Sequence, residues 1–232
     1  MVELRRKRDH YRRDDVVRAY DERRFGGPGG RWVDSVEQET IRSLLGRHGG
    51  LRLDLPCGSG RLFAGLDAEG GATIGGDSSL PMLRRALSRR NLVPVAALDA
   101  FQLPFADATF DAVVTLRFVF HLEDPQPFFV EVGRVLKPGG RFVFDALRYT
   151  PRALFPRLQA PLGGEAYAHG VCRISGLLGR TGFDVVDRRD VFLLPSQAYR
   201  PLPRPILAIA RRLEPRLPAG ARSKAFFAAR LR

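Results

Sequence analysis

The 232-residue chain predicts an α/β fold: a doubly wound, seven-stranded sheet with helices on both faces. Three observations carry that expectation. Short apolar runs alternate with segments of helical periodicity, the pattern of a mainly parallel sheet. The run Leu51–Leu55 carries Asp54 and passes through Pro56 and Cys57 into a Gly58-Ser59-Gly60 turn. Such a turn lies outside the carboxyl end of a strand, where open α/β sheets bind ligands. Two further runs end in acids, Asp77 and Asp99, so three carboxylates fall at consecutive strand ends.

A polar helix is expected over 14–24, then a flexible loop at Gly26-Gly27-Pro28-Gly29-Gly30. Residues 34–47 read as a helix with Val36, Ile41, Leu44 and Leu45 on one side. Strand one spans 51–55 and its helix 61–67. Strand two spans 72–76, after which Ser79 caps a helix that has Pro81 in its first turn and runs to Arg90. Strands three and four cover 92–98 and 110–116. The helix over 125–135 buries Phe128, Phe129 and Val132, and Lys137-Pro138-Gly139-Gly140 stops it and turns into strand five at 141–146. A helix over 170–180 stops at Gly182 before strand six, 183–194. Pro201, Pro203 and Pro205 break the chain, Ile206, Ile209, Ala210 and Leu213 then recur at helical spacing, and 225–231 supplies the seventh strand. The resulting divisions are an N-terminal helical cap or lid (1–50), a core (51–194), a basic helical insertion (195–222) and a final strand (223–232).

A hydrophobic content of 44% is enough for one substantial core with an elaboration. No run of about 18 apolar residues occurs, so a spanning helix is not expected. The charged start lacks the apolar stretch of a signal peptide, and the expected location is cytoplasmic. Cys57 and Cys172 are too few and too far apart for a disulfide framework or a zinc site. The net charge of +13 sits at the two ends: residues 1–31 contribute +4, residues 195–232 contribute +8 and the long centre only +1. Nearly all of it is arginine. Charge alone does not establish a nucleic-acid partner.

Gly58 and Gly60 let the backbone approach a ligand closely. Asp77 follows Asp54 by 23 residues, close to the spacing at which a second-strand acid meets a ribose diol. Asp99 is positioned for an adenine amino group, with Ala100 and Phe101 framing the ring. The pattern is not G-x-G-x-x-G, and an acid sits where a dinucleotide phosphate would be repelled. A cationic adenosyl ligand suits these charges better than an anionic dinucleotide.

With these blocks in order, the chain resembles the class I S-adenosylmethionine-dependent methyltransferases, near the small-molecule branch that includes the ubiquinone and menaquinone C-methyltransferases. The matching text runs from Leu53 to Arg61, from Gly75 to Leu83, from Asp99 to Phe105 and from Phe110 to Val114. It continues with His121-Leu122-Glu123-Asp124-Pro125 and with Glu131 to Gly140. The resemblance covers residues 50–147 closely and the flanks loosely. It implies a Rossmann-like sheet whose last strand is antiparallel, and S-adenosylmethionine as cofactor with S-adenosylhomocysteine as product. By the same resemblance, Asp54 and the turn 56–60 contact the methionine end, Asp77 holds the ribose hydroxyls, Met82 packs on the adenine and Asp99 bonds its amino group. Leu116 and Arg117 sit near the sulfonium through backbone atoms, and Arg61 and Ser78 join the candidate set from the matching blocks. Pro56 departs from the family's usual turn and removes a backbone donor. Cys57 reads as a small packing residue rather than a nucleophile.

Methyl transfer from a sulfonium is an in-line displacement in which the protein contributes alignment and desolvation. His121 is the candidate base for a hydroxyl or acidic-carbon acceptor, and its alternative role is packing. Tyr20, Arg24 and Phe25 lie where such enzymes close over the cofactor. The expected acceptor is a small or lipid-like molecule, methylated on oxygen or carbon. An RNA methyltransferase using the basic termini and a non-catalytic cofactor-binding module are the alternatives. For the insertion the uses, in order, are a substrate cover or homodimer surface, a membrane-interface anchor through 203–216, and a phosphate-binding arm for RNA.

Overall fold

The computed structural model describes residue 11 and residues 13–46, 49–67, 70–89, 93–149 and 166–232. The expected helix ends at position 47 and at Arg90, and the strand start at Leu92, lie outside those residues. The strands are β1 (Leu51–Asp54), β2 (Ala72–Asp77), β3 (Val95–Ala97), β4 (Phe110–Thr115), β5 (Leu136–Leu147), β6 (Phe183–Val191) and β7 (Lys224–Leu231). They form one seven-stranded sheet in the order β3-β2-β1-β4-β5-β7-β6. β1 to β5 run parallel, and β7 enters antiparallel between β5 and β6. Winding reverses between β1 and β4, which opens a crevice above their carboxyl ends.

The helices are α1 (Asp14–Arg18), α2 (Tyr20–Phe25), α3 (Gly27–Leu45), α4 (Phe63–Asp67), α5 (Leu80–Ser88), α6 (Gln126–Val135), α7 (Val171–Arg180), α8 (Ser196–Tyr199) and α9 (Arg204–Leu213). Successive strand residues point to opposite faces, so each apolar strand feeds two cores. Phe142, Phe144 and Phe227 face α6 and α7, where they meet Phe128, Phe129, Ile174 and Leu178. Val143, Phe226 and Ala228 face α3 and α4, against Ile41, Leu45 and Leu66.

Several expected boundaries move, each for a tertiary reason. The polar helix over 14–24 is two helices, because Ala19 at φ −89°, ψ 0° ends α1 and turns α2 so that Asp21 meets Ser59. The glycine segment expected as a loop is instead the first turn of α3, with Pro28 near its start. A Cβ on Gly29 would collide with the Tyr199 carbonyl, and one on Gly30 would lie 2.7 Å from the Phe25 carbonyl carbon. Those glycines are there for close packing. Lys137-Pro138-Gly139-Gly140 does not interrupt β5: Leu136 pairs with Phe110, and the extra residues are taken up as a bulge before Arg141 meets Ala112. The Lys137–Asp111 ion pair, at 2.8 Å, clamps that bulge. β6 ends at Val191 because Phe192 takes a positive φ of 61°, which buries its ring against Trp32.

Candidate functional site

The glycine turn is fastened to β2 by the Cys57 amide, which donates to the Gly76 carbonyl at 2.8 Å. Gly58 and Gly60 take φ values of +53° and +71°. Asp77 lies between this turn and α5: its Oδ2 accepts from the Gly58 amide at 2.9 Å and its Oδ1 from the Ser79 amide at 2.8 Å. Ser79 in turn caps α5 by accepting from the Met82 amide at 3.2 Å, as its position before Leu80-Pro81 predicts. One carboxylate therefore ties the turn to the cap of the next helix.

A single cleft gathers the ends of β1, β2, β3 and β4. Asp54, Pro56, Cys57, Gly58, Ser59 and Arg61 form its floor from β1; Asp77, Ser78 and Met82 line one wall. Asp99, Ala100 and Phe101 line the next, and Leu116, Arg117 and His121 close the far side. Of the residues singled out in the sequence, Gly60 and Phe25 contribute no cleft surface; the Phe25 ring lies instead against Arg61 and Arg117. A Cβ on Gly60 would approach the Phe63 ring to 2.7 Å, so Gly60 serves the bend and the packing beneath it.

Asp54 is the electrostatic focus. It is 1% exposed, and neither carboxylate oxygen has a hydrogen-bond partner. Burial pushes its carboxyl up to about 8, the Arg61 charge opposes that rise and Asp77 adds to it. Burial also raises Asp77, against the pull of its backbone amides, and it raises the Cys57 thiol, which is therefore a poor nucleophile. Asp99 sits exposed at the rim, its Oδ1 accepting from the Phe101 amide at 3.0 Å. Each Asp77 oxygen retains a lone pair for a further donor.

The other half of the cleft is cationic and is built by the N-terminal helices. Tyr11, Tyr20 and Arg24 line it, and Arg24 donates to the Tyr11 hydroxyl at 3.1 Å. The Arg61 guanidinium turns to Asp34 and to Glu37, the latter at 3.0 Å, and lies 4.2 Å over the Phe25 ring. Arg117, in the left-handed region at φ 64°, pairs with Glu37 at 3.3 Å, and its amide donates to Asp145 at 2.5 Å. Lys224 bridges Glu37 and Asp145 at 2.7 Å each. Burial raises the Glu37 carboxyl, but Lys224, Arg117 and Arg61 together hold it well below the usual carboxylate range. Three carboxylates thus face three cations under the cleft.

His121 ends a 3-10 turn over Val119–His121, its ring 4.5 Å from that of Phe120. Its loop is braced from behind: the Tyr167 amide donates to the Phe120 carbonyl, and His169 Nε2 to the Leu122 carbonyl, each at 2.8 Å. Burial lowers the His169 imidazole, which keeps it a neutral strut. The sequence reading missed Glu37, Lys224, Asp145 and Asp21. Asp21 accepts from Ser59 Oγ at 2.7 Å and pairs with Arg85 and Arg89 at 3.0 and 2.9 Å, which latches α2 over the glycine turn. No local pattern marks these residues, since their partners lie tens to hundreds of positions away.

Comparison with known proteins places this geometry in context. The family described as Methyltransferase domain matches residues 53–144. A demethylmenaquinone methyltransferase of Corynebacterium kroppenstedtii is 36% identical over 129 residues, 55% of each chain. The chain thus spans about half the length of the curated relatives it matches. Among solved structures, phosphoethanolamine N-methyltransferase 2 of Haemonchus contortus, in complex with S-adenosyl-L-methionine, superposes with a TM-score of 0.69 at 23% identity, covering 97% of this chain and 60% of that one. Magnesium protoporphyrin IX methyltransferase of Synechocystis, with bound S-adenosylhomocysteine, gives 0.66 at 16% identity, covering 97% of both. These likenesses establish the fold. No described helix is long and apolar enough to cross a membrane.

Proposed function

We propose that the chain, whose residues 53–144 match the methyltransferase-domain family, is a class I S-adenosylmethionine-dependent methyltransferase that methylates a small or lipid-like molecule on oxygen or carbon. The observation that carries the reading is Asp54: a buried carboxylate, both oxygens without partners, on the floor of the cleft. Such a group is costly until a cation is placed beside it, and the amino-acid and sulfonium end of S-adenosylmethionine is cationic. When bound, that cofactor supplies an electrophilic methyl on sulfur.

The chain's own residues do the rest. Asp77 would hold the ribose hydroxyls on its free lone pairs, Met82 and Phe101 would pack on the adenine, and Asp99 would accept from its amino group. Leu116 and the Arg117 backbone flank the reacting end. Tyr20 and Arg24 close the mouth and exclude water, which strengthens every charge interaction inside. His121, at the far side of the cleft, would take the proton that an acceptor hydroxyl or acidic carbon releases on methylation. The methyl-transfer relatives support this reading through residues 53–144.

The test is an acceptor screen with methyl-labelled cofactor. Phenols, quinols, a total lipid extract and total RNA are offered in parallel. Label in a solvent-extractable small product supports the proposal. Label confined to RNA favours a nucleic-acid substrate, and cofactor uptake without transfer to any class favours a binding module.

A further inference from the structure

The helical insertion presents a face that the rest of the fold leaves uncovered. α9 is anchored by Leu207, which packs with Val33, Phe192 and Tyr199. On another side of the same helix Ile206, Ile209 and Leu213 stand 47%, 57% and 50% exposed. Their spacing of three and then four puts them in one stripe, and Leu217, also exposed, follows just beyond. Single exposed leucines are ordinary, whereas a contiguous apolar stripe marks an interaction surface.

The charges around the stripe say what it fits. Arg204, Arg211, Arg212 and Arg216 are exposed on the same short segment. The single acid between 195 and 232 is Glu214, and it is buried, with its carboxylate bonded to the Tyr199 hydroxyl and the Leu193 amide. No described carboxylate of this segment offsets the guanidinium groups. A symmetric pairing of two copies would bring arginines against arginines, an unfavourable juxtaposition. A phosphate-lined surface with apolar depth beneath it matches both halves of the helix: guanidinium groups at the phosphate level and aliphatic side chains among the acyl chains.

We propose that α9 and the turn after it dock the protein onto an anionic phospholipid surface. The insertion is seated on the cleft's own cover. Arg200 Nη1 donates to the Arg23 carbonyl at 3.2 Å, and the Tyr199 carbonyl packs against Gly29, next to the Arg24 that lines the mouth. On the methyl-transfer reading, docking would bring a lipid surface to the side of the molecule that carries the cleft's cover. Docking itself does not rest on that reading, so its failure leaves that reading standing.

The experiment is cosedimentation of the full chain with phosphatidylcholine vesicles, with and without phosphatidylglycerol. Binding is expected only where phosphatidylglycerol is present. Each arginine near an anionic surface contributes about fivefold to partitioning, so Arg212→Gln with Arg216→Gln, the two exposed arginines beside the stripe, weakens it about 25-fold. Ile209→Glu with Leu213→Glu weakens it by at least about tenfold. All four side chains are exposed, so both variants keep the wild-type melting temperature, and sedimentation is read only on variants that do. Four results overturn the proposal: no sedimentation with either vesicle, equal sedimentation with both, retention unaffected by Ile209→Glu with Leu213→Glu, or a solution dimer that this variant dissociates.

Discussion

Replacing Glu37 with glutamine removes one charge from a buried set in which Asp34, Glu37 and Asp145 face Arg61, Arg117 and Lys224. Glu37 and Asp145 are fully buried and Lys224 is 2% exposed, so the surplus positive charge cannot be hydrated in place. Removing one partner of such a pair costs about 3–5 kcal/mol. For a domain of this size that lowers the melting temperature by roughly 6–20 °C. Urea denaturation followed by fluorescence of Trp32, which packs on Phe192 and Tyr199, measures the loss. Lys224→Met in the Glu37→Gln background removes the stranded cation, so the double variant loses less than the sum of the singles, by about 0.5–3 kcal/mol. The pH arm has a definite sign. The folded Glu37 carboxyl lies below its unfolded value, so its contribution is complete above about pH 4 and declines as the pH falls through the folded value. A cost below about 1 kcal/mol, or an additive cycle, would refute the account of this network.

Further outcomes follow from the cleft. Asp54 has a folded value pushed up to about 8, so the free protein loses stability as the pH rises from about 4 towards that value. Asp54→Asn removes that slope, which a melting series across pH reads directly; parallel slopes would contradict it. Asp77→Ala releases the amides of Gly58 and Ser79, costing about 1–3 kcal/mol of stability and weakening cofactor uptake in a thermal-shift titration; unchanged affinity would remove Asp77 from the site. His121→Ala lowers turnover by about 100-fold or more while cofactor affinity holds, and full turnover would reduce His121 to a packing residue.

What was legible in the sequence was what local chemistry dictates. Asp54, the Gly58-Ser59-Gly60 turn, Asp77 and Asp99 follow one another at strand ends, and parallel pairing of β1 with β2 and of β2 with β3 brings those ends to one edge. The Ser79 cap was readable because capping is a contact over three residues. The start of α3 was not, because glycine reads as a loop until Tyr199 is seen pressed against Gly29. The β5 bulge was hidden in the same way, since Pro138-Gly139-Gly140 is turn chemistry that the Lys137–Asp111 pair overrides. Tyr20, Arg24, Arg61 and Arg117 were legible from the family resemblance, but the ion-pair network beneath them was out of reach. Glu37 and Lys224 are 187 positions apart, and in a chain rich in arginine no single basic residue stands out.

The central claim is that a cation of the adenosyl cofactor pairs with the ionised form of Asp54, and calorimetric titration of S-adenosylmethionine tests it most directly. At neutral pH the free carboxyl is largely protonated, and an arriving cation favours its ionised form. Saturable binding is therefore predicted, with a heat that depends on the buffer's ionisation enthalpy because a proton is released, and with at least about a tenfold loss of affinity in Asp54→Asn. No uptake by the wild type, or equal and buffer-independent binding by the wild type and Asp54→Asn, would contradict it.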